Sequence, residues 1–188
     1  YKEKVGTAVV NYAGDYPGAV EGELWYDSTN KDFKYNYPNV STAGSWRTAN
    51  SMNTARAGGA GAGIYTAALA FAGSPSPVGA LTEKYDGTSW TEVNDLNTSR
   101  ASLAGNGTQT SALAIAGEGP PGGAVTNVES WNGTNWTETT DLNTARYILA
   151  AAGADNTSAL AFGGGPAPVQ ANTELWNGSN WTEVNDLN

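Results

Sequence analysis

An all-β fold made of repeated four-stranded sheets is what this sequence predicts, and three observations carry the expectation. Tryptophan recurs at positions 46, 90, 136 and 181, with spacings of 44, 46 and 45 residues. Each of the last three periods holds a tight-turn signal, Asp86-Gly87, Asn132-Gly133 or Asn177-Gly178, and both residue types of such a pair tolerate positive φ. No stretch carries a 3.6-residue apolar period. Instead 29 Ala, 24 Gly and 21 Thr dominate the chain, which suits closely packed strands of small residues.

The elements follow in order along each period. The segments Glu83–Arg100 (EKYDGTSWTEVNDLNTSR), Glu129–Arg146 (ESWNGTNWTETTDLNTAR) and Glu174–Asn188 (ELWNGSNWTEVNDLN) are copies of one unit. A second unit lies between them: TAALAFAG at 66–73, TSALAIAG at 110–117 and TSALAFGG at 157–164, with a looser TAVVNYAG at 7–14. Pro/Gly-rich loops follow these segments and continue neither strand nor helix. Each period therefore divides into four strands. The first is the Ala/Gly-rich stretch after the arginine. The second is the ALAFAG piece, the third the Glu-x-aromatic piece and the fourth the Trp-Thr-Glu piece. Four antiparallel strands per roughly 45 residues match one blade of a β-propeller. The expected divisions are a degenerate N-terminal blade over 1–55, then blades over 56–99, 100–145 and 146–188.

Composition excludes several function classes. The chain has 188 residues, 9 Lys+Arg, 18 Asp+Glu and a net charge of −9. With no His and no Cys, it has no Ser–His–Asp triad, Cys nucleophile, disulfide or Cys/His zinc site. The acidic balance opposes binding to nucleic acid or to an anionic membrane surface. The longest apolar stretch, about nine residues at Tyr65–Gly73, is short of the roughly 20 a spanning helix needs. Leu, Ile, Val and Phe number only 28, below the roughly 20% at which disorder becomes the default. Seven Trp and nine Tyr, with only 14% charged residues, argue for a packed fold instead.

The order Arg100, Gly117, Glu129, Trp131, Trp136, with its equivalents, resembles the kelch repeat, whose units are four-stranded propeller blades. The resemblance covers nearly the whole chain. It departs at the family's Gly-Gly doublet, kept only at Gly163-Gly164 and read as Ala72-Gly73 and Ala116-Gly117 elsewhere. Slightly different strand lengths are expected there. The family includes copper oxidases that need His ligands and a Cys cross-linked to Tyr, and this sequence has neither residue type. The first copy departs further: Trp25 and Trp46 are 21 apart, where Trp131 and Trp136 are 5 apart. Its stretch EGELWYDSTNKDFKYN is similar to a segment of bacteriophage tail-fibre and other virion proteins. The later repeats resemble degenerate kelch units of marine phage structural proteins.

The repeated positions have competing readings. Trp46, Trp90, Trp136 and Trp181 are expected to pack between blades rather than to stack on sugars. Trp25, Tyr85, Trp131 and Trp176 are expected in the core. Arg56, Arg100 and Arg146 recur once per blade, and each is expected to pair with a nearby carboxylate or to cap carbonyls rather than to bind an acidic ligand. Asp95, Asp141 and Asp186, with Glu92, Glu138 and Glu183, form an acidic row expected in solvated turns, since no dense calcium-loop spacing is present. The turn Asp86–Trp90 resembles the Asp-box of sialidases but is one residue shorter. Eight Asn-x-Ser/Thr sequons, Asn132 and Asn135 among them, fall out of the repeated turn. The variable Pro-rich loops at 74–80, 118–124 and 165–171 are where a propeller places specificity.

The expected function is a non-enzymatic structural protein of a virion or other surface, located on the virion or outside the cell. It presents a propeller for adhesion or host attachment. Its partners are other virion or surface proteins and a host surface glycan, with no cofactor, metal, nucleic acid or membrane insertion. No ligand-binding residue is assigned. A homo-oligomer is expected by analogy with phage fibres. The alternative is an intracellular kelch-type protein-interaction scaffold. Ring closure is expected from additional blades of a longer chain, from four blades alone, or from several subunits, with 1–10 able to supply a strand to the last blade.

Overall fold

The structure is a computed structural model that describes residues 10–13, 24–35, 48–75 and 78–188. Trp46 and most of the 7–14 segment lie outside the described residues. The chain divides into two compact units, Tyr1–Arg47 and Thr48–Asn188.

In the first unit, β1 (Val10–Tyr12), β2 (Leu24–Asp27) and β3 (Asp32–Tyr35) form one sheet in the order β1-β2-β3. Within it β1 runs parallel to β2. The stretch between Trp25 and Trp46 supplies β3 as the hairpin partner of the Leu-Trp-Tyr-Asp strand, with Trp25 opposite Lys34, whereas Trp131 lies opposite Trp136 in a later repeat. Asp27 fixes the turn: its carboxylate accepts from the Thr29 and Asn30 amides at 2.9 and 3.2 Å and pairs with Lys34 at 3.2 Å. Trp25 is buried in this unit.

The second unit holds three four-stranded antiparallel sheets, each in sequence order. Sheet I comprises β4 (Ala60–Ile64), β5 (Ala67–Phe71), β6 (Thr82–Tyr85) and β7 (Trp90–Val93). Sheet II comprises β8 (Ala104–Thr108), β9 (Ser111–Ile115), β10 (Val128–Trp131) and β11 (Trp136–Glu138). Sheet III comprises β12 (Ala150–Asp155), β13 (Ser158–Phe162), β14 (Thr173–Trp176) and β15 (Trp181–Val184). Among the described residues there is no α-helix, and one short 3-10 turn spans Val78–Ala80. Sheet III draws its four strands from residues 150–184, and residues 1–9, expected to supply a strand to the last blade, lie outside the described residues.

The first strands converge, with β8 packed against both β4 and β12. Convergence explains why these strands are Ala/Gly-rich. A Cβ on Gly105 of β8 would lie 2.6 Å from the Phe71 ring and 3.0 Å from the Ala60 Cβ. The doublet position has a backbone reason too. Ala72, Ala116 and Gly163 all sit at positive φ (61°, 55° and 68°). Alanine therefore keeps the left-handed turn at a cost, and β5, β9 and β13 all remain five residues long. The expected difference in strand length does not occur.

The core lies between sheets. Leu69, Phe71 and Leu96 of the first repeat pack with Leu103, Trp131 and Trp136 of the second. Leu113, Ile115 and Leu142 of the second pack with Leu149, Trp176 and Trp181 of the third. Full burial of each such side chain contributes about 1.5–3 kcal/mol.

Candidate functional site

The residues that recur most regularly meet at the junctions between repeats. In the second sheet Arg100 and Glu129 are fully buried, 3.0 Å apart. Arg100 Nη1 also donates to the Ala116 and Asn127 carbonyls at 2.9 and 2.6 Å. Glu129 accepts from the Asn97 and Thr98 amides at 2.7 and 3.2 Å, and from Asn97 Nδ2 at 2.9 Å. The carboxylate on β10 thus anchors the whole Asn-Thr-x-Arg loop arriving from sheet I. Burial pulls the Arg100 pKa down, and the attraction of Glu129 opposes that shift.

The same cage occurs three times. Glu174 accepts from the Asn143 amide and side chain, both at 2.8 Å, and from Arg146 at 2.9 Å. Glu83 accepts from the Asn53 and Thr54 amides and from Arg56. Arg56, Arg100 and Arg146 therefore pair locally and cap strand-end carbonyls. Among the described residues the Nε–H of each of the three is buried without a hydrogen-bond partner, and Arg100 also lines a cleft of about 250 Å³ with Gly79, Ser99 and Glu118. The sequence pattern held the signal for these glutamates, since each opens a Glu-x-aromatic unit.

The tryptophans form a second set of junction contacts. Trp136 packs against Phe71 with the rings tilted 60° and their centroids 4.8 Å apart, and its indole N–H donates to Thr82 Oγ1 at 3.0 Å. Trp181 donates to the Thr140 carbonyl of the preceding repeat at 3.1 Å. Trp131 and Trp176 are buried, and each donates at 2.9 Å to the tip of its own first hairpin, at Gln109 and Asn156 respectively. Tyr85 is buried against the half-buried Trp90, with centroids 5.0 Å apart.

The hairpin tips supply a third contact that the sequence did not announce. Gln109 Nε2 donates to the carbonyls of Ala68 and Tyr85 in sheet I. Asn156 Nδ2 donates to the Trp131 carbonyl and to Ser130 Oγ in sheet II, at 3.1 and 2.9 Å. The tips read Tyr65-Thr66, Gln109-Thr110 and Asn156-Thr157, so only the threonine repeats and the residue that makes the contact does not.

Open space is modest. A cleft of about 430 Å³ lies at the hairpin-tip end, lined by Gly63, Ile64, Ala67, Gly107, Gln109 and Ala154 among others. A second, of about 350 Å³, lies at the proline-loop end of sheet III against Tyr147, Ile148, Ala167 and Val169. Both are lined mainly by apolar or small residues. The acidic row is spent on local hydrogen bonds: Asp95 and Asp186 accept from the Thr82 and Thr173 amides, and Asp141 from Thr126 Oγ1. Glu138 and Glu183 accept from Asn127 and Asn172. Among the described residues, no three acidic side chains are grouped to hold a metal ion.

Asp86 lies below its usual pKa because the Ser89 and Thr88 amides donate to its carboxylate. Asp155 is lowered by the Thr157 hydroxyl and amide. Both are turn carboxylates stabilised by their own loop. No protein-family profile matches the chain, and no curated protein matches it either.

Proposed function

We propose that this chain is a kelch-like β-propeller segment serving as a non-enzymatic structural part of a surface assembly, such as a virion fibre, appendage or decoration. It presents its proline-rich loops for attachment to a host surface glycan. One observation carries the proposal: the buried glutamates at the repeat junctions are paired with arginine and hold the loop that arrives from the preceding segment, from sheet I to II and from sheet II to III in the last two cases. A chemistry-bearing site needs polar groups aimed at a ligand. Here the recurring Arg, Glu, Asn and Trp side chains are aimed at neighbouring backbone. Variation between the repeats is left to the loops at 74–80, 118–124 and 165–171. Multivalent weak attachment suits such an array.

The test replaces the 118–124 and 165–171 loops by short Gly/Ser linkers and measures binding to a glycan panel and to candidate host cells. Lost binding with an unchanged circular-dichroism spectrum and melting curve supports the proposal. Unchanged binding, or saturable turnover of any glycan, overturns it.

A further inference from the structure

The repeats are near copies, yet the junction between sheets I and II is built differently from the one between sheets II and III. At the proline-loop end of the first junction lies the cleft of about 250 Å³, lined by Ser74, Gly79, Ser99, Arg100, Glu118 and Pro120 among others. Backbone pairing fixes which residues stand at the same places in the second junction. The Arg100 amide donates to the Gly79 carbonyl as the Arg146 amide donates to that of Val125. Ala101 bridges to Glu118 as Tyr147 bridges to Gly165. Gly79, Ser99, Ala101 and Glu118 therefore correspond to Val125, Ala145, Tyr147 and Gly165. The second junction has Val and Tyr where the first has Gly and Ala. It has neither hydroxyl nor carboxylate at the places of Ser99 and Glu118.

These exchanges are coupled. A Cβ on Gly79 would lie 2.1 Å from Ser99 Oγ, so the hydroxyl takes the space that the glycine leaves. Val125 faces no such hydroxyl, because Ala145 stands there. The cleft thus carries the half-buried Ser99 and the exposed Ser74 and Glu118. Its chemistry selects among ligands. The Arg100 charge is already met by Glu129 at 3.0 Å, and Glu118 repels an anion. A carboxylate only accepts hydrogen bonds, whereas a serine hydroxyl both donates and accepts. Neighbouring hydroxyl groups on a neutral ring satisfy both demands, and Pro120 offers an apolar surface to the ring's C–H groups. The volume falls below the roughly 300–1,000 Å³ of drug-sized pockets, which limits the occupant to a single small ring.

The geometry points to this cleft as the subsite for one neutral sugar unit. Glu118 accepts from the sugar's hydroxyls, and Ser74 and Ser99 complete the polar contacts. The inference rests on the proposed glycan attachment and narrows it. Of the two junctions between sheets I, II and III, the first carries the sugar and the second carries structure alone. Specificity then comes from the loop ends at Ser74 and Glu118 together with the Gly79–Ser99 exchange, rather than from loop length.

The test titrates the full chain with methyl glycosides of glucose, galactose, mannose and N-acetylglucosamine, and follows backbone amide shifts by NMR. Inorganic phosphate, N-acetylneuraminic acid and methylammonium serve as charged probes. At least one neutral glycoside is expected to move the Ser99, Ala101 and Gly119 amides with a Kd of about 1 mM. Glu118→Gln, at an exposed position, is expected to weaken that binding on the order of tenfold. Gly79→Val with Ser99→Ala, the pair that the second junction carries, is expected to abolish it without changing the melting curve. Shifts that persist in the filled variant overturn the proposal. So does tighter binding of any charged probe at these amides, or no shift with any neutral glycoside. Attachment to glycans or host cells that survives filling of the cleft but is lost on loop replacement overturns this site and leaves the attachment reading standing. No binding to any glycan or cell overturns both.

Discussion

Replacing Glu129 tests whether the buried Arg–Glu pair acts as an ion pair or as an organiser of backbone. Glu129→Ala leaves the buried Arg100 without its carboxylate, and breaking a buried pair from one side costs about 3–5 kcal/mol. It also strips the Asn97 and Thr98 amides of their acceptor. Against a typical stability of about 5–15 kcal/mol, that is a large fraction of the fold. The more informative variant is Arg100→Met with Glu129→Met. For a pure ion pair, apolar replacement of both partners is often neutral or stabilising. Here the pair also serves four backbone groups: the Ala116 and Asn127 carbonyls and the Asn97 and Thr98 amides. At about 1 kcal/mol for each of the two carbonyls, the low end for an unsatisfied buried group, and less for the Asn97 and Thr98 amides, which water reaches, the double variant stays about 2–4 kcal/mol below wild type. The assay is urea unfolding followed by tryptophan fluorescence, with m-values compared to confirm the same cooperative unit. A double variant within about 1 kcal/mol of wild type would show that the charges, not the backbone clamp, set the energetics, and would refute this reasoning.

Further predictions follow from single positions. Trp136→Ala loses the Phe71 contact and the bond to Thr82, and is expected to cost about 3–5 kcal/mol in the same unfolding assay. The half-buried Trp90 is expected to cost clearly less than Trp136 when changed to Ala. Ile148 sits at φ 52° and is 72% exposed, so Ile148→Gly is expected to raise stability by about 1 kcal/mol, read as a higher melting midpoint. Asp86 has a folded pKa below its usual 3.8, so its contribution is complete above that value and is lost as pH falls through the folded pKa. Asp86→Asn, the residue the other two repeats carry at this turn, is expected to flatten the acid limb of stability while leaving the turn intact at neutral pH.

The repeat pattern made the strand order legible because the two kinds of signal are local. An Asn-Gly or Asp-Gly pair fixes a hairpin within four residues, and the observed Tyr85–Trp90, Trp131–Trp136 and Trp176–Trp181 pairings close around those turns. That the arginines would find carboxylates was equally legible, but which ones was not. The actual partners, Glu83, Glu129 and Glu174, are reached only after the chain has crossed to the next strand set, 27 to 29 residues on. Gln109 and Asn156 left no trace, because an amide that bonds to backbone carbonyls needs only reach and direction. In the N-terminal copy the Trp25 strand pairs with β3, a partner the repeat pattern did not mark, and short-range hairpin closure accounts for the pairing.

The most direct test of the account is an electron cryomicroscopy map of the native assembly. The account predicts four-stranded sheets packed side by side through β4, β8 and β12, with the Arg100–Glu129 and Arg146–Glu174 pairs buried where each sheet meets the loop from the one before it. A map in which these sheets stand apart, or in which the Arg–Glu pairs open onto solvent or a bound ligand, would contradict it.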